Sequence, residues 1–259
     1  MIKKLIIVIT CLCISVIVIV LYFRMKQRNK FEKEKPYYSV RNLKTDSTTS
    51  IAFIGDSWAE RAEYNRFNIR LDSILLMNGI RSNCYSKGLG GATSRDIYKL
   101  LFSDEVYGLK EVIERCPQYA LLSCGINDQH GQYGPEFYAH HTILIAKLLL
   151  HYHIRPIILE LPKWYIKENY GYYGRRKKIA YRMLCFATTY QWNPEKTTEL
   201  YRNALNEEIM RHNMKDKIIV INSSFLDNNR LWLNSMHINE WGYDLLAQKV
   251  AEALTHKKK

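Results

Sequence analysis

Short apolar runs alternate with longer stretches of helical periodicity from residue 51 to near the carboxyl terminus. The runs that read as strands cover 51–54, 82–86, 119–123, 154–161 and 217–222. The stretches with helical spacing of apolar residues cover 59–77, 94–102, 135–151, 195–212 and 240–256. Strands separated by helices pair in parallel and are covered on both faces. The pattern therefore predicts an α/β domain over residues 50–256, built on a five-stranded parallel sheet.

A different pattern precedes this domain. Residues 5–23 form an uncharged stretch of nineteen residues, behind a basic head at residues 1–4 that contains Lys3 and Lys4. That length matches the hydrocarbon core of a bilayer, so the stretch predicts a single-pass transmembrane signal-anchor. An uncleaved or unusually cleaved signal peptide is the alternative. Residues 24–49 are charged and then polar, which is typical of a tether between a membrane and a domain.

The charges that flank the apolar stretch give conflicting indications of its orientation. Six Lys/Arg lie within residues 24–35, and by the positive-inside rule they would keep the domain cytoplasmic. A short basic head before an apolar run is, in contrast, the usual layout of an exporting signal-anchor. We expect an extracytoplasmic domain, periplasmic or at the cell surface.

The net charge of +13 is concentrated at the two ends of the chain. Residues 1–35 contribute +6 and the last three lysines +3, so the predicted domain is only mildly basic. Basic residues next to a bilayer can contact anionic headgroups, and the hypothesis of nucleic-acid binding loses its main support.

The cysteines outside the apolar stretch form no Cys-x-x-Cys pair; they are Cys84, Cys116, Cys124 and Cys185. The histidines show no metal-ligand spacing. We therefore predict neither a metal site nor a redox motif.

Residues 162–194 interrupt the alternation with a segment rich in aromatic and basic side chains. The segment is too long for an ordinary connection after a strand, and it follows the fourth predicted strand. One interpretation is a substrate-binding lid, for which Trp164, Tyr165, Arg175 and Arg176 are the candidate contacts. A second membrane-contacting surface or a simple packed insertion is the alternative.

Residues with catalytic potential follow several of the predicted strands. Ser57 follows the first strand, Gly91 lies in the glycine-rich turn after the second, and Asn127 follows the third. His237 lies after the fifth strand, just before the last helix. A serine needs an adjacent base to act as a nucleophile, and a tetrahedral oxyanion needs preorganised donors. The set therefore indicates acyl transfer, although each residue alone could be a helix cap, a turn former or a packing histidine.

These residues resemble the SGNH (GDSL-type) esterase and lipase superfamily over about residues 51–253. The matching blocks are Gly55-Asp56-Ser57, Gly91, Gly125-Ile126-Asn127-Asp128 and the tail His237-Ile238-Asn239-Glu240-Trp241-Gly242-Tyr243. Any single block has low specificity, whereas the blocks occur here in the family's order and spacing.

The resemblance implies a flavodoxin-like three-layer α/β/α fold that uses no metal or organic cofactor. It implies that Ser57 is the nucleophile and His237 the base. The oxyanion hole would consist of the backbone N–H groups of Ser57 and Gly91 and the side-chain amide of Asn127.

One position departs from the family pattern. Asn234 stands three residues before His237, where the family has aspartate. An asparagine can accept a hydrogen bond from the imidazole but cannot stabilise the imidazolium as a carboxylate does. In serine proteases the equivalent change costs about four orders of magnitude, largely through the wrong tautomer. Three explanations remain open: Asp227 supplies the carboxylate, a Ser–His dyad suffices, or the domain binds without cleaving.

The sequence as a whole predicts a membrane-anchored serine esterase that removes O-acyl (acetyl) groups from a carbohydrate. An anchor together with an aromatic, basic insertion suits an acylated envelope polysaccharide, since sugar rings stack on aromatic side chains. An O-acyltransferase with the same serine is one alternative, and a non-catalytic glycan- or lipid-binding relative is another. Only the acceptor differs between the hydrolase and the transferase, so the sequence does not separate them.

Overall fold

The computed structural model describes residues 2–27, 34–35, 37–39, 48–131, 133–163 and 194–255. The strands are β1 Thr49–Gly55, β2 Ser82–Gly88, β3 Tyr119–Ser123, β4 Arg155–Leu159 and β5 Ile219–Ile221. The helices are α1 Ile2–Gln27, α2 Ser57–Arg61, α3 Phe67–Met77, α4 Ser94–Leu100, α5 Lys110–Arg115, α6 Ile126–His130, α7 Pro135–His151, α8 Pro194–Arg211 and α9 Glu240–Thr255. The predicted contacts Trp164, Tyr165, Arg175 and Arg176 lie outside the described residues.

The strands form a single parallel sheet in the order β2-β1-β3-β4-β5. The predicted five-stranded parallel sheet is thus confirmed, and its order is that of the flavodoxin-like class. The chain reverses its direction of travel through the sheet at β1, which pairs with β2 on one side and β3 on the other. In such folds ligands bind beyond the carboxyl ends of the strands at this switch point. Ser57 follows β1 and Asn127 follows β3, so both lie there.

Apolar side chains of the sheet and of the helices on either side form the core. Residues 51–54 of β1 are each at most 1% exposed, because β1 has strands on both sides and helices over both faces. Helix α7 packs against α4 and α8, whereas α3 packs against α9. These two groups of helices are the outer layers of the predicted three-layer arrangement.

The helix predicted over 59–77 is two helices in the structure. Arg66 adopts φ 58° at the amino end of α3, a left-handed conformation that a continuous helix does not contain. The break lets the buried Phe67 donate its backbone N–H to the carbonyl of Ala62. The prediction also missed the short helices α5 and α6. Because α6 carries Asn127, this omission bears directly on the site.

Part of the predicted tether packs against the domain. We call Glu34, Lys35 and residues 37–39 the docked segment. The Tyr38 amide donates to the Tyr152 hydroxyl at 2.8 Å, and the Tyr38 hydroxyl donates to the carbonyl of Leu101 at 2.9 Å. Glu34 forms a 2.7 Å ion pair with Lys147. Leu101 and Tyr152 end helices that run back to the amino edge of the sheet, so the docked segment lies at the edge opposite Ser57.

The amino-terminal helix α1 covers the predicted anchor at residues 5–23. Among the residues that the structure describes, no helix combines the length and the apolar character needed to cross a membrane. The anchor therefore stays a prediction.

Candidate active site

The turn between β1 and α2 positions Ser57. Asp56 caps α2: its carboxylate accepts a hydrogen bond from the Trp58 amide at 3.0 Å. The same oxygen accepts a bond from the Ser123 hydroxyl at 2.8 Å, which ties the turn to the end of β3. Asp56 therefore has the capping role, and Ser57 is the first residue of the helix, with its hydroxyl available for chemistry.

Gly55 makes this turn possible. Its φ is +152°, and a Cβ atom placed on it would lie 2.1 Å from the carbonyl oxygen of Ser123. No side chain fits at that distance, because the neighbouring atom is backbone of the adjacent strand. Glycine is thus required for β1 to bring Ser57 close against the end of β3.

The turn before α9 brings His237 to Ser57. The Nε2 atom of His237 lies 3.0 Å from the Ser57 Oγ, which is hydrogen-bond distance for a base and its nucleophile. The Nδ1 atom of His237 lies 3.1 Å from the Oδ1 atom of Asn234. The Trp58 indole N–H donates to the carbonyl of Met236 at 2.8 Å and so links α2 to this turn. The structure therefore places Ser57, His237 and Asn234 in one line of contacts.

Backbone groups fix the orientation of the Asn234 amide. Its Oδ1 accepts hydrogen bonds from the amides of Met236, at 2.9 Å, and His237, at 3.0 Å. A flipped side chain would point its NH2 group at these two donors, so the atom that faces the imidazole must be the oxygen. An oxygen there accepts a hydrogen bond from Nδ1–H, which leaves Nε2 unprotonated and able to accept from Ser57.

The surroundings of His237 favour its neutral form. Partial burial is the largest cause that lowers its pKa, and the positive charge of Arg61 lowers the pKa further. A neutral imidazole is the form that a general base requires, so His237 is ready to accept a proton at neutral pH.

Gly91 and Asn127 lie on two loops that are joined to each other. Gly91 has φ +79°, and a Cβ atom there would have nothing within 4 Å, so its backbone faces open space. The Asn127 amide donates to the carbonyl of Ala92 at 2.9 Å, which uses one of its two N–H groups. Asp128 accepts from the backbone amide of Ser94 at 2.9 Å and also from its hydroxyl. These bonds hold the two loops beside the switch point.

Two buried carboxyl groups, those of Asp56 and Asp128, form hydrogen bonds beside the site. Burial raises the pKa of Asp56 to about 7 and that of Asp128 to about 6, although each accepts hydrogen bonds that act in the opposite direction. Both belong to the motif blocks, but the sequence did not reveal their partners Ser123 and Ser94. No motif in the sequence marks those two serines. The order of the strands in the sheet is what brings them next to Asp56 and Asp128.

Asp227, the alternative acid, occupies a different place. The hydrogen bonds of the His237 ring run to Ser57 and Asn234, whereas Asp227 Oδ2 lies 3.9 Å from Lys163 Nζ. The described residues contain no group of three His, Cys, Asp or Glu side chains that could hold a metal ion.

Several solved structures that resemble this one are described as lipases, esterases or lipolytic proteins. A lipase/acylhydrolase from Enterococcus faecalis is 15% identical with a TM-score of 0.60, and the match covers 81% of this chain and 97% of that one. A psychrotrophic esterase from Pseudoalteromonas sp., in a structure inhibited by monoethylphosphonate, is 13% identical with a TM-score of 0.57, covering 80% and 97%. A member of the G-D-S-L lipolytic family from Veillonella parvula is 17% identical with a TM-score of 0.53, covering 80% and 99%.

No protein-family model and no curated protein matches the sequence. At identities of 13–17% the structural likeness establishes the fold, which is that of the GDSL/SGNH hydrolases. This confirms the fold that the sequence resemblance implied.

Proposed function

We propose that this protein is a serine ester hydrolase in which Ser57, His237 and Asn234 act as a catalytic triad. The observation that supports this proposal best is the line of contacts from the Ser57 Oγ to His237 Nε2, at 3.0 Å, and from Nδ1 to Asn234 Oδ1, at 3.1 Å. The esterases and acylhydrolases that share the fold support the same reaction class.

In the proposed mechanism, the Ser57 hydroxyl attacks the ester carbonyl while His237 Nε2 takes its proton. The carbonyl oxygen becomes an oxyanion that accepts hydrogen bonds from the Ser57 and Gly91 amides and from the remaining N–H of Asn127. His237 then protonates the leaving alcohol, and an acyl-enzyme remains. Water deprotonated by His237 attacks the acyl-enzyme, releases the acid and restores Ser57.

The same geometry gives Asn234 a role of its own, which is to orient the His237 ring, so position 234 is more than a triad position that has lost its aspartate. In serine proteases an asparagine in this position fails largely because it holds the imidazole in the wrong tautomer. Here two backbone N–H groups hold the Asn234 oxygen towards Nδ1, which favours the productive tautomer. We infer that the triad works with a neutral third member and that Asp227 is not needed as the acid.

Labelling by a fluorophosphonate probe tests the nucleophile. The wild-type protein should be labelled stoichiometrically, and Ser57→Ala should not react. Ser73→Ala is the control and should still be labelled, since Ser73 lies on the exposed face of α3 and its hydroxyl bonds to the Ile69 carbonyl, not to the Ser57 turn. A folded wild-type protein that does not react would favour the non-catalytic alternative.

We further propose that the substrate is an O-acylated carbohydrate, which the sequence of residues 162–194 favours through its aromatic and basic side chains. Acetate release from an acetylated oligosaccharide, measured with and without an unacetylated acceptor, tests this substrate. Acetylated acceptor as the main product would indicate the transferase instead. No acetate from sugars, alongside hydrolysis of simple aryl esters, would leave an esterase with a different substrate.

We propose that residues 5–23 anchor the protein in a membrane with the domain extracytoplasmic. The support is the uncharged stretch of nineteen residues and the basic head before it. The proposal predicts that the full chain stays with the membrane fraction after alkaline carbonate extraction, and that a chain starting at residue 34 does not. Protease protection in intact cells would then report the side on which the domain lies.

A further inference from the structure

A cation lies on the same helix as the nucleophile. Arg61 follows Ser57 by four residues in α2, and residues at this spacing share one face of a helix. Its charge acts on His237, where it is the second cause of the lowered pKa. Arg61 is half-buried, so its side chain is neither withdrawn into the core nor fully in solvent. The guanidinium therefore belongs to the surroundings of the reacting groups.

Within the described ranges, no carboxylate forms an ion pair with Arg61. Other arginines of the domain have such partners: Arg70 lies 2.8 Å from Asp244, and Arg202 lies 3.6 Å from Glu160. The Arg61 guanidinium can therefore pair with an anion that enters from outside the protein.

Asn234, the third member of the proposed triad, does not provide a negative charge to pair with Arg61. An aspartate at position 234 would add a negative charge within contact of His237, whereas Asn234 is neutral. The carboxylate of Glu60 lies at this edge against Gly90, where an added Cβ would come 2.8 Å from its Oε2. It forms no ion pair with Arg61, so the guanidinium has no ion-pair partner among the described residues. A substrate is the group that enters this space during the reaction.

We propose that Arg61 binds an anionic group, a carboxylate or a phosphate, that the substrate carries close to its ester. A planar guanidinium pairs with either group through two parallel hydrogen bonds. The proposal rests on the proposed hydrolase function and narrows its substrate class to anionic esters. For an acylated carbohydrate, this means a sugar that bears a uronate or a phosphate.

Kinetics with a matched pair of esters test the proposal. The substrates are 4-acetoxybenzoate and its neutral methyl ester, which have the same acyl group and a similar ring. At pH 8 the His237 imidazole is neutral with or without the Arg61 charge. There kcat/KM of Arg61→Gln for the anionic ester should fall about tenfold or more, while that for the neutral ester should change less than about twofold. Arg61→Lys should restore part of the loss. Arg70→Gln removes the same charge from the exposed pair with Asp244 and should leave both values unchanged.

Added salt should lower kcat/KM of the wild type for the anionic ester alone, and Arg61→Gln should lose this dependence. Acetylated glucuronate and acetylated glucose phosphate then distinguish a carboxylate from a phosphate as the preferred group. Equal losses for both aryl esters in Arg61→Gln would overturn the proposal, because they would assign Arg61 to the transition state generally. No loss for either would overturn it as well.

Binding to Ser57→Ala separates this proposal from the proposed function. Calorimetry should show tighter binding of 4-acetoxybenzoate than of its methyl ester, and the preference should vanish in the double variant with Arg61→Gln. If the wild type fails to react with a fluorophosphonate but this preference is found, the hydrolase proposal fails and the anion site stands. If the wild type reacts and no preference is found, the anion site fails alone.

Discussion

The turn that carries the nucleophile and the turn that carries the base are stabilised in opposite ways. The Ser57 turn depends on distant parts of the chain: Asp56 is 1% exposed and is held by Ser123 from the neighbouring strand. The His237 turn depends on its own residues, since Asn234 accepts from Met236 and His237 within three positions. The first turn is fixed by the sheet and the second by its local sequence.

Because of this difference, substitutions in the two turns should affect different properties of the protein. A change in the Ser57 turn disturbs the sheet and should be seen first as lost stability. A change in the His237 turn leaves the core intact and should be seen first as lost activity. The Trp58 indole, which donates to the Met236 carbonyl at 2.8 Å, joins the two turns and should show both effects.

The strongest test of the Ser57 turn is Gly55→Ala. The added Cβ would lie 2.1 Å from the Ser123 carbonyl oxygen, so either β1 or β3 must shift. We expect the free energy of unfolding to fall by more than about 3 kcal/mol, measured by denaturant titration.

Gly79→Ala is the control for backbone strain alone. Gly79 also has a positive φ, +75°, but nothing lies within 4 Å of an added Cβ. It should cost about 1–2 kcal/mol. Equal losses for the two variants would show that contact with Ser123 does not determine the stability of the Ser57 turn.

The second test changes Asn234 in the His237 turn. Asn234→Ala removes the acceptor of three hydrogen bonds, and we expect kcat/KM to fall about 100- to 1000-fold with little change in unfolding. Asn234→Asp keeps the oxygen in place, so kcat/KM should stay within about tenfold of the wild type. A gain of about four orders of magnitude in Asn234→Asp would show instead that the natural triad lacks its acid.

The third test removes the link between the turns. Trp58→Phe keeps an aromatic ring but leaves the Met236 carbonyl without its donor, and we expect a loss of about 1–3 kcal/mol in stability. The catalytic rate should fall as well, because His237 loses a support of its turn. Tyr152→Phe is the control: its hydroxyl accepts from the Tyr38 amide at 2.8 Å, at the edge of the sheet opposite the site, so it should lose stability without a fall in catalytic rate. Similar catalytic losses in both would contradict the linking role of Trp58.

The smallest effect is expected from Asp56→Asn at acidic pH. Burial raises the pKa of Asp56 from its ordinary value near 4 to about 7, so the folded state holds this proton more tightly than the unfolded state. Its contribution to stability is therefore present at low pH and is lost as the pH rises towards 7 and above. The neutral amide of the variant resembles the protonated acid and should change stability by less than about 1 kcal/mol at pH 5.

As the pH rises from 5 to 8, the wild type should lose stability relative to Asp56→Asn, and denaturant titrations at both values measure the slope. Asp128 remains in both proteins, but its negative charge is one of the causes that raise the pKa of Asp56, so the measured difference contains the repulsion between these two carboxyls as well as the burial of Asp56. A variant that becomes relatively less stable as the pH rises would show that Asp56 is ionised and stabilising in the fold.

Much of the fold was predictable because the relevant signals are local. The strand over 119–123 and the helix over 135–151 have the predicted bounds, since continuous apolar runs and helical spacing are properties of neighbouring residues. The break at Arg66 was not predictable, because nothing in the apolar pattern of 59–77 marks a left-handed residue. The docking of Tyr38 on Tyr152 was hidden for a similar reason, since its partners lie far away along the chain.

The residue types of the site, and the strands that they follow, can be identified from the sequence alone: Ser57, Gly91, Asn127 and His237. The sequence also shows that an asparagine stands at position 234. The contacts of that asparagine could not be identified from the sequence, because the orientation of a side-chain amide depends on the hydrogen-bond donors around it in the folded protein. The tertiary structure also shows that Asp227 is not among the contacts of the His237 ring and that Arg61 forms no ion pair among the described residues. Both depend on distances in space, which the spacing of residues along the chain does not specify.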